Sequence, residues 1–432
     1  MAQNIRSISR YITAFGAVLL ALWLLLMLSA WIPNEAIREN MVHSAKSYSQ
    51  REAFEFTKDS RMNTVADHYA DAIWLNVAWN MGVGDPVTGS IRTQYYNGED
   101  QGENAGLYYT VTEGTAPNTD YTRYWHGTAM WIRLLSLIAD VEGIKTIGFA
   151  AFLLLATLSV VLLGKLGHWD LGVLLLLSLA AVHIWNIRLS MEYQPAFLVA
   201  FLLLPIFMLL ERQGNGPLVY LSIVAGTAVA FFDFLTTETV TILLPLALVF
   251  AVRAKENRLG TFRQELPLVI RCGGAWGLSY AGAFLVKWTA ASLVTGTNAF
   301  STALASVGER VGGEVVDLAE RPTSPLSAPL ANLSMLFGSA RRVDYGKMML
   351  GLALVGMALL SVWYLLRRKR PGAGGGLLLA LGCVVLVRYL VLNNHSYLHC
   401  FFTYRALVTP VFAVLAAVRL NIALPEKKGG RR

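Results

Sequence analysis

The chain has 432 residues, of which 55% are hydrophobic and only 15% are charged, and its formal net charge is +8. Its mean hydropathy is positive, and apolar runs of the length that crosses a bilayer recur along it. Lys and Arg cluster in short segments between these runs, which is typical of a positive-inside bias and argues against a nucleic-acid-binding protein. The three cysteines form no CxxC pair, so neither a disulfide framework nor a thiolate metal site is indicated.

Ten apolar stretches predict membrane spans, and the chain therefore reads as one all-α polytopic membrane domain over 1–432. The first stretch follows a basic start and lacks a small-residue cleavage pattern, so we expect a retained signal anchor. The apolar segment 127–140 is too short to cross, and Arg133 and Asp140 interrupt it. The predicted spans are 11–31, 146–164, 171–187, 195–211, 217–233, 239–253, 273–294, 346–366, 375–393 and 405–420.

Basic residues set the predicted orientation. Ten spans place both termini and four Lys/Arg groups on the cytoplasmic side. The long first loop, 32–145, is then extracytoplasmic, and its residues 33–127 hold seven Lys/Arg against thirteen Asp/Glu. A second large loop on that side, 295–345, is either an ordered lid or a mobile loop. The basic groups are Arg6 and Arg10; Arg253, Lys255, Arg258, Arg263 and Arg271; Arg367, Arg368, Lys369 and Arg370; and Lys427, Lys428, Arg431 and Arg432.

The same topology places five polar segments on the extracytoplasmic face. Ionisable groups at the membrane boundary are costly, so a functional role is the default hypothesis, although polar residues ordinarily lie between spans. Taken together, the five predict one site covered by the large loop. They are DHYAD (67–71), TRYWHG (122–127), SMEYQP (190–195), FDFLTTET (232–239) and NNHSYLHCFFTYR (393–405).

Two acids in the first segment are candidates for acid–base chemistry. Asp67 and Asp71 are four apart, so a helix would place both carboxylates on one face. One carboxylate could then act as a base with its pKa raised by the other, or both could bind a divalent cation together with His68. The alternative is a helix N-cap or a solvated helix face.

The second segment combines a cation, aromatic rings and an imidazole, as sugar and phosphate sites often do. Arg123, Trp125 and His126 are the candidate binding residues. For Tyr124 and Trp125 the favoured alternative is the aromatic belt at the membrane interface.

Further acids stand between later predicted spans. Glu192 is a candidate binding residue, and Asp233 lies at the same boundary. Glu238 follows two threonines and opens a span, so helix capping or a favourable interaction with the helix dipole competes with a binding role.

The last segment places His395 and His399 four apart, and Tyr404 and Arg405 follow. On one helical face the two imidazoles could bind a metal, but HSYLH lacks the acid of HExxH and needs a third ligand from elsewhere.

An anion site fits this segment better. Arg405, Arg388 and Lys287 lie in the predicted outer halves of spans, where a lipid-linked phosphate head group would sit. Snorkelling of each cation to the interface is the alternative.

These features resemble the GT-C superfamily of polytopic glycosyltransferases. The resemblance rests on the long loop after the first span, the acids early in it, the YWHG-type helix that closes it and the cationic helix ends. RYWHG, FDFLT and NHSYLHCFFTYR also resemble stretches in uncharacterised bacterial membrane proteins. The bacterial cytoplasmic membrane is the location that this implies.

The resemblance implies a polyprenyl-phosphate-linked sugar donor and a glycan, lipid or protein acceptor. Asp67 would be the base that activates the acceptor, with Asp71 as second choice, and Arg405, Arg388 or His399 would stabilise the departing phosphate. The chain departs from the adjacent acid pair of several GT-C families, so the choice of base and any metal stay open.

Two rival functions compete with this one. A transporter or flippase of lipid-linked glycans would use Arg388 and Lys287 along a path. A membrane acyltransferase would use His395 or His399 as base, and it predicts a deep histidine such as His183.

Overall fold

The computed structural model describes residues 2–312, 322–353, 356 and 374–421. Helices make up 77% of the structure and strands very little of it. In these residues the helices are α1 (Ala2–Ala30), α2 (Asn34–Tyr48), α3 (His68–Met81), α4 (Pro86–Arg92), α5 (Gly102–Tyr108), α6 (Thr128–Leu135), α7 (Val141–Lys165), α8 (Trp169–Ala181), α9 (Pro195–Leu210), α10 (Asn215–Phe232), α11 (Val240–Lys255), α12 (Phe262–Thr295), α13 (Ala299–Val311), α14 (Ser327–Met335), α15 (described over 345–353), α16 (Gly374–Val391), α17 (Asn393–Leu398), α18 (Cys400–Thr403) and α19 (Val408–Asn421).

Seven helical stretches in the described residues are long and apolar enough to cross a membrane, which identifies an integral membrane protein. Each corresponds to one of the predicted spans. They are Ile8–Ala30, Val141–Lys165, Met191–Gln213, Asn215–Phe232, Phe262–Thr295, Gly374–Val391 and Cys400–Leu420.

The other three predicted spans have different outcomes. The stretch 171–187 overlaps the shorter apolar helix α8, which ends at Ala181, and 239–253 corresponds to the 16-residue α11. Almost every side chain of α11 is buried, because a helix that is apolar all round packs in the middle of the bundle. Most of the predicted span 346–366 lies outside the described residues.

Residues 31–140 cover one end of the bundle, which we call the loop end. They contain α2 to α6 and two short antiparallel strand pairs, β1 (Phe54–Phe56) with β2 (Val65–Asp67), and β3 (Gln94–Tyr95) with β4 (Thr119–Asp120). Helix α6 has eight residues, so at a rise of about 1.5 Å per residue it cannot cross a bilayer.

Arg133 of α6 fastens this loop to the first helix. Its buried guanidinium donates to the carbonyl oxygens of Ser29 at 2.9 Å and Ala78 at 2.6 Å, and to Asn34 Oδ1 at 2.9 Å. A Cβ at position 82 would come within 2.3 Å of this guanidinium, so a larger residue there would have to displace the Arg133 side chain. Arg133 therefore satisfies carbonyl groups near the ends of α1 and α3.

At the opposite end, ion pairs join the helix termini. Glu211 accepts from Arg253 Nε at 3.1 Å and also pairs with Arg258, although its own side chain is almost fully buried. Glu256 pairs with Arg212 and Arg258 at 2.6 Å. These charges are compensated where they are buried, which is the arrangement expected of a structural contact.

Candidate functional site

The five polar segments meet at the loop end. Ser190 Oγ donates to Asp71 Oδ1 at 2.7 Å, and His395 Nε2 lies 2.9 Å from the carbonyl oxygen of Leu235. The backbone N–H of Gly127 donates to the carbonyl oxygen of Phe231 at 3.0 Å. Segments that are far apart in sequence thus line one buried region.

Asp71 is held by three donors. Its Oδ2 accepts from Tyr48 Oη at 2.9 Å, and its Oδ1 accepts from Ser190 Oγ and, at 2.8 Å, from the backbone N–H of Met191. The side chain is completely buried, and this burial raises the pKa of Asp71. These bonds tie α3 to the turn before α9, so Asp71 has a clear structural role.

Asp67 stands just before α3, at its N-cap position. Its Oδ1 accepts from the backbone N–H of Ala70 at 2.8 Å, which is the capping alternative for this residue. The predicted helix thus contains Asp71 but begins after Asp67. Burial raises the pKa of Asp67 to about 7, with a further contribution from the charge of Asp71.

Glu192 supplies a second carboxyl group at this position. It is buried, and its carboxyl group lies beside that of Asp67. Asp233 is close enough for its negative charge to act on Glu192. In the described residues, no group of three or more His, Cys, Asp or Glu side chains has the arrangement of a metal site.

Arg388 and Glu238 form a buried two-contact ion pair. Arg388 Nε and Nη2 lie 2.8 and 2.9 Å from the two carboxylate oxygens of Glu238. The guanidinium also donates to the Leu235 carbonyl oxygen at 2.6 Å and to Ser396 Oγ at 3.1 Å. Glu238 therefore pairs with Arg388 and does not cap α11, and most of the N–H donors of Arg388 are already used within the protein.

Arg405 is buried without a counter-ion. It is 1% exposed, and none of its three guanidinium nitrogens makes a hydrogen bond of normal geometry within the described residues, although the Tyr404 hydroxyl is close. Its Cζ lies 4.6 Å from the ring centroid of Tyr193 and 5.1 Å from that of Tyr404. The Tyr193 hydroxyl in turn donates to the Val65 carbonyl oxygen at 3.1 Å, two residues before Asp67.

Burial favours the uncharged form of the candidate histidines. Burial lowers the pKa of His399 to about 4 and the pKa of His395 well below its usual range. Burial likewise lowers the pKa values of His68 and His126. His395 and His399 do lie side by side, with ring centroids 4.8 Å apart, but neither attracts an anion by charge.

Lys287 and Arg123 have protein partners. Lys287 Nζ donates to the Ile91 carbonyl oxygen at 2.6 Å and to that of Ser90 at 3.3 Å, so it caps the C-terminus of α4. Arg123 donates to Ser306 Oγ at 2.7 Å and to Tyr121 Oη at 3.2 Å. These contacts join the first loop to α12 and α13.

Tyr124 and Trp125 are buried in the protein and do not form an interfacial belt. Trp125 Nε1 donates to the Ala283 carbonyl oxygen at 2.8 Å. Tyr124 stacks on Phe234, with ring centroids 4.4 Å apart, and His126 meets the same ring edge-on at 4.7 Å. Sequence reasoning missed Phe234; its only signal was a place next to Asp233 in a polar segment.

Two cavities flank the 190–194 turn. One has a volume of about 580 Å³ and charged walls, and it includes Ala66 and His68, the neighbours of Asp67. The other is an apolar groove of about 390 Å³ between α6, α7, α9 and α10. Met191 and Gln194 line the groove, whereas Glu192 and Tyr193, which stand between them in sequence, do not.

No family model, curated protein or solved structure matches this chain. The site is therefore interpreted from its own geometry.

Proposed function

We propose that this protein is a GT-C-type glycosyltransferase, which moves a sugar from a polyprenyl-phosphate-linked donor to a glycan, lipid or protein acceptor. The observation that carries this proposal is the guanidinium of Arg405, which is buried without a hydrogen-bond partner among the described residues. It lies against the ring of Tyr193, whose hydroxyl donates to the carbonyl oxygen of Val65, two residues before Asp67. Such an arrangement offers a base and an anion-binding group within one site.

The state of Arg405 supports an anionic ligand. A guanidinium stays protonated in a protein, and an unpaired buried charge costs several kcal/mol. Each aromatic face returns about 2 kcal/mol in a desolvated site, but neither ring accepts the N–H groups in the guanidinium plane. A phosphate would provide the missing counter-ion and accept the free N–H groups in a two-contact geometry.

Asp67 is the proposed base. In the reaction the acceptor hydroxyl loses its proton to Asp67, its oxygen forms the new bond to the anomeric carbon, and the bond from that carbon to the phosphate oxygen breaks. The polyprenyl phosphate leaves with the electron pair, and Arg405 stabilises its charge. The second carboxyl group, that of Glu192, lies beside this base.

The apolar groove supports a lipid-linked donor. Its walls include Ile147, Leu198 and Leu202, which lie on helices long enough to cross the bilayer. Trp131 of the short helix α6 completes this apolar wall. The polar turn at one side of the groove carries Tyr193, which contacts Arg405. A prenyl chain in the groove would therefore bring its phosphate toward the guanidinium.

The proposed topology keeps ten spans, with both termini in the cytoplasm of a bacterium. Residues 32–145 and 295–345 are then extracytoplasmic loops around one transmembrane domain, and the loop end faces away from the cytoplasm. The acidic first loop and the basic segments at the other end support this orientation.

The proposal is tested with the full chain purified into nanodiscs that contain polyprenyl-phosphate sugars, by following the release of polyprenyl phosphate. Asp67→Asn keeps an N-cap residue but removes the base, so we expect release to fall at least about a hundredfold. Asp85→Asn is the matched control, because Asp85 caps α4 in the same loop with a bond of 2.8 Å from Thr88 but is exposed.

Release by the wild type and Asp85→Asn, but not by Asp67→Asn, supports the proposal. Equal release by all three proteins contradicts the role of Asp67. No release from any donor by folded wild type contradicts the transferase and favours a transporter or flippase. The acyltransferase loses its deep histidine, because α8 ends at Ala181 and His183 lies beyond it, 3.3 Å from Asn63 Nδ2.

A further inference from the structure

The polar cavity at the loop end lies outside the machinery assigned above. It is formed by the residues around β1 and β2, the start of α7 and the turn after α8. At about 580 Å³ it falls within the range of small-molecule sites, about 300–1,000 Å³. Its walls are mainly polar, so it does not fit a lipid chain.

The charges of the cavity walls balance. Arg51, Lys145 and Arg188 face Glu52, Glu55 and Glu142, three cations against three carboxylates. Glu142 Oε1 accepts from Lys145 Nζ at 2.8 Å and from Arg51 Nη1 at 3.1 Å. The side chains that line the cavity therefore carry no net charge, and the cavity does not favour an anion or a cation by its overall charge.

The charged side chains of the cavity that form no ion pair with one another are suited to binding hydroxyl groups. Arg188 is exposed at the rim and has no hydrogen-bond partner among the described residues, and its planar fork can donate to two neighbouring oxygens. Glu52 and Glu55 offer acceptor oxygens from the other wall. A ligand with several adjacent hydroxyl groups would meet both donors and acceptors.

Phe56 adds an apolar face to this polar cavity. Its ring is 45% exposed although it belongs to strand β1, whose partner β2 is buried. A pyranose ring has such an apolar face, formed by its C–H groups, beside its hydroxyls. An exposed ring among charged side chains therefore matches a sugar better than it matches phosphate or water.

We propose that this cavity binds a neutral sugar unit. Resting on the proposed function, that unit belongs to the acceptor, which is then an oligosaccharide or a glycan chain. Ala66 of β2 and His68 at the start of α3 line the cavity, but Asp67 does not, because successive residues of a strand such as Ala66 and Asp67 face opposite sides. The bound unit is thus a neighbour of the reacting sugar, which lies across β2.

The test is calorimetric titration of the full chain in nanodiscs with neutral trisaccharides of glucose, mannose, galactose and N-acetylglucosamine. Sodium phosphate and glucuronic acid are the charged probes. We expect a neutral probe to bind the wild type and to bind Phe56→Ala and Arg188→Gln about tenfold more weakly. Arg38→Gln and Glu39→Gln, exposed positions on α2 outside the cavity, are the matched controls and should bind like the wild type.

The inference is overturned if no neutral probe binds, if only phosphate or glucuronic acid binds, or if the cavity variants bind as tightly as the wild type. Loss of sugar binding alongside release that depends on Asp67 contradicts this inference alone. Sugar binding by a protein that releases no polyprenyl phosphate contradicts the transferase but keeps the sugar site.

Discussion

The region around Arg388 and the region around Arg405 contain the same charged group in opposite states of pairing. Arg388 reaches both oxygens of Glu238, so its charge is compensated inside the protein. Arg405 is also buried, but within the described residues it lies against the rings of Tyr193 and Tyr404 and pairs with no carboxylate. The first arrangement explains a contact between helices, and the second is explained by a ligand that brings its own negative charge.

The largest expected effect is on the paired arginine. Arg388→Leu leaves the buried carboxylate of Glu238 without its counter-ion, so we expect the free energy of unfolding to fall by about 3–5 kcal/mol. Denaturant unfolding in detergent micelles, followed by circular dichroism, measures it. The double variant with Glu238→Leu removes both charges and should recover most of the loss. A single variant as stable as the wild type would show that the ion pair is not structural.

The same substitution at the other arginine should act in the opposite direction. Arg405→Leu removes an uncompensated buried charge, so we expect the free energy of unfolding to stay equal or to rise by about 1–4 kcal/mol. The release of polyprenyl phosphate should be lost at the same time, because its clamp is gone. If Arg405→Leu unfolds as readily as Arg388→Leu, the guanidinium supports the fold and the comparison fails.

This contrast could not be predicted from the sequence. Apolar runs predicted the seven long helices, because the length and composition of a span depend on local sequence. Arg388, Arg405 and Lys287 all appeared as cations near helix ends, and their different partners depend on tertiary packing. Glu238 lies far from Arg388 in the chain, and the carbonyl groups that hold Lys287 belong to the first loop.

For the acidic residues, too, the sequence predicted some features and not others. The spacing of Asp67 and Asp71 predicted a shared helical face, whereas Asp67 is the cap and Asp71 is saturated by donors from Tyr48, Ser190 and Met191. The N-cap alternative follows from a short-range rule and was available from sequence. The proximity of Glu192 to Asp67 was not, since it depends on how the turn before α9 packs on β2.

The smallest effect concerns the pH dependence of the proposed base. Burial raises the pKa of Asp67 to about 7, so the side chain is largely neutral below that pH and ionised above it. A base must be ionised, and release should therefore rise about tenfold per pH unit up to about pH 7 and then level off, each unit corresponding to about 1.4 kcal/mol. In the unfolded chain the side chain of Asp67 ionises at about pH 3.9, whereas in the folded chain it stays neutral up to about pH 7. The stabilising contribution of Asp67 is therefore full below about pH 3.9 and is lost as the pH rises toward about 7. Rates of polyprenyl phosphate release measured from about pH 5.5 to about pH 8.5 test the predicted rate increase. Asp85→Asn is the control, and its release should show the same pH dependence as that of the wild type. A rate that falls with rising pH over this range would assign the essential group to an acid and not to a base.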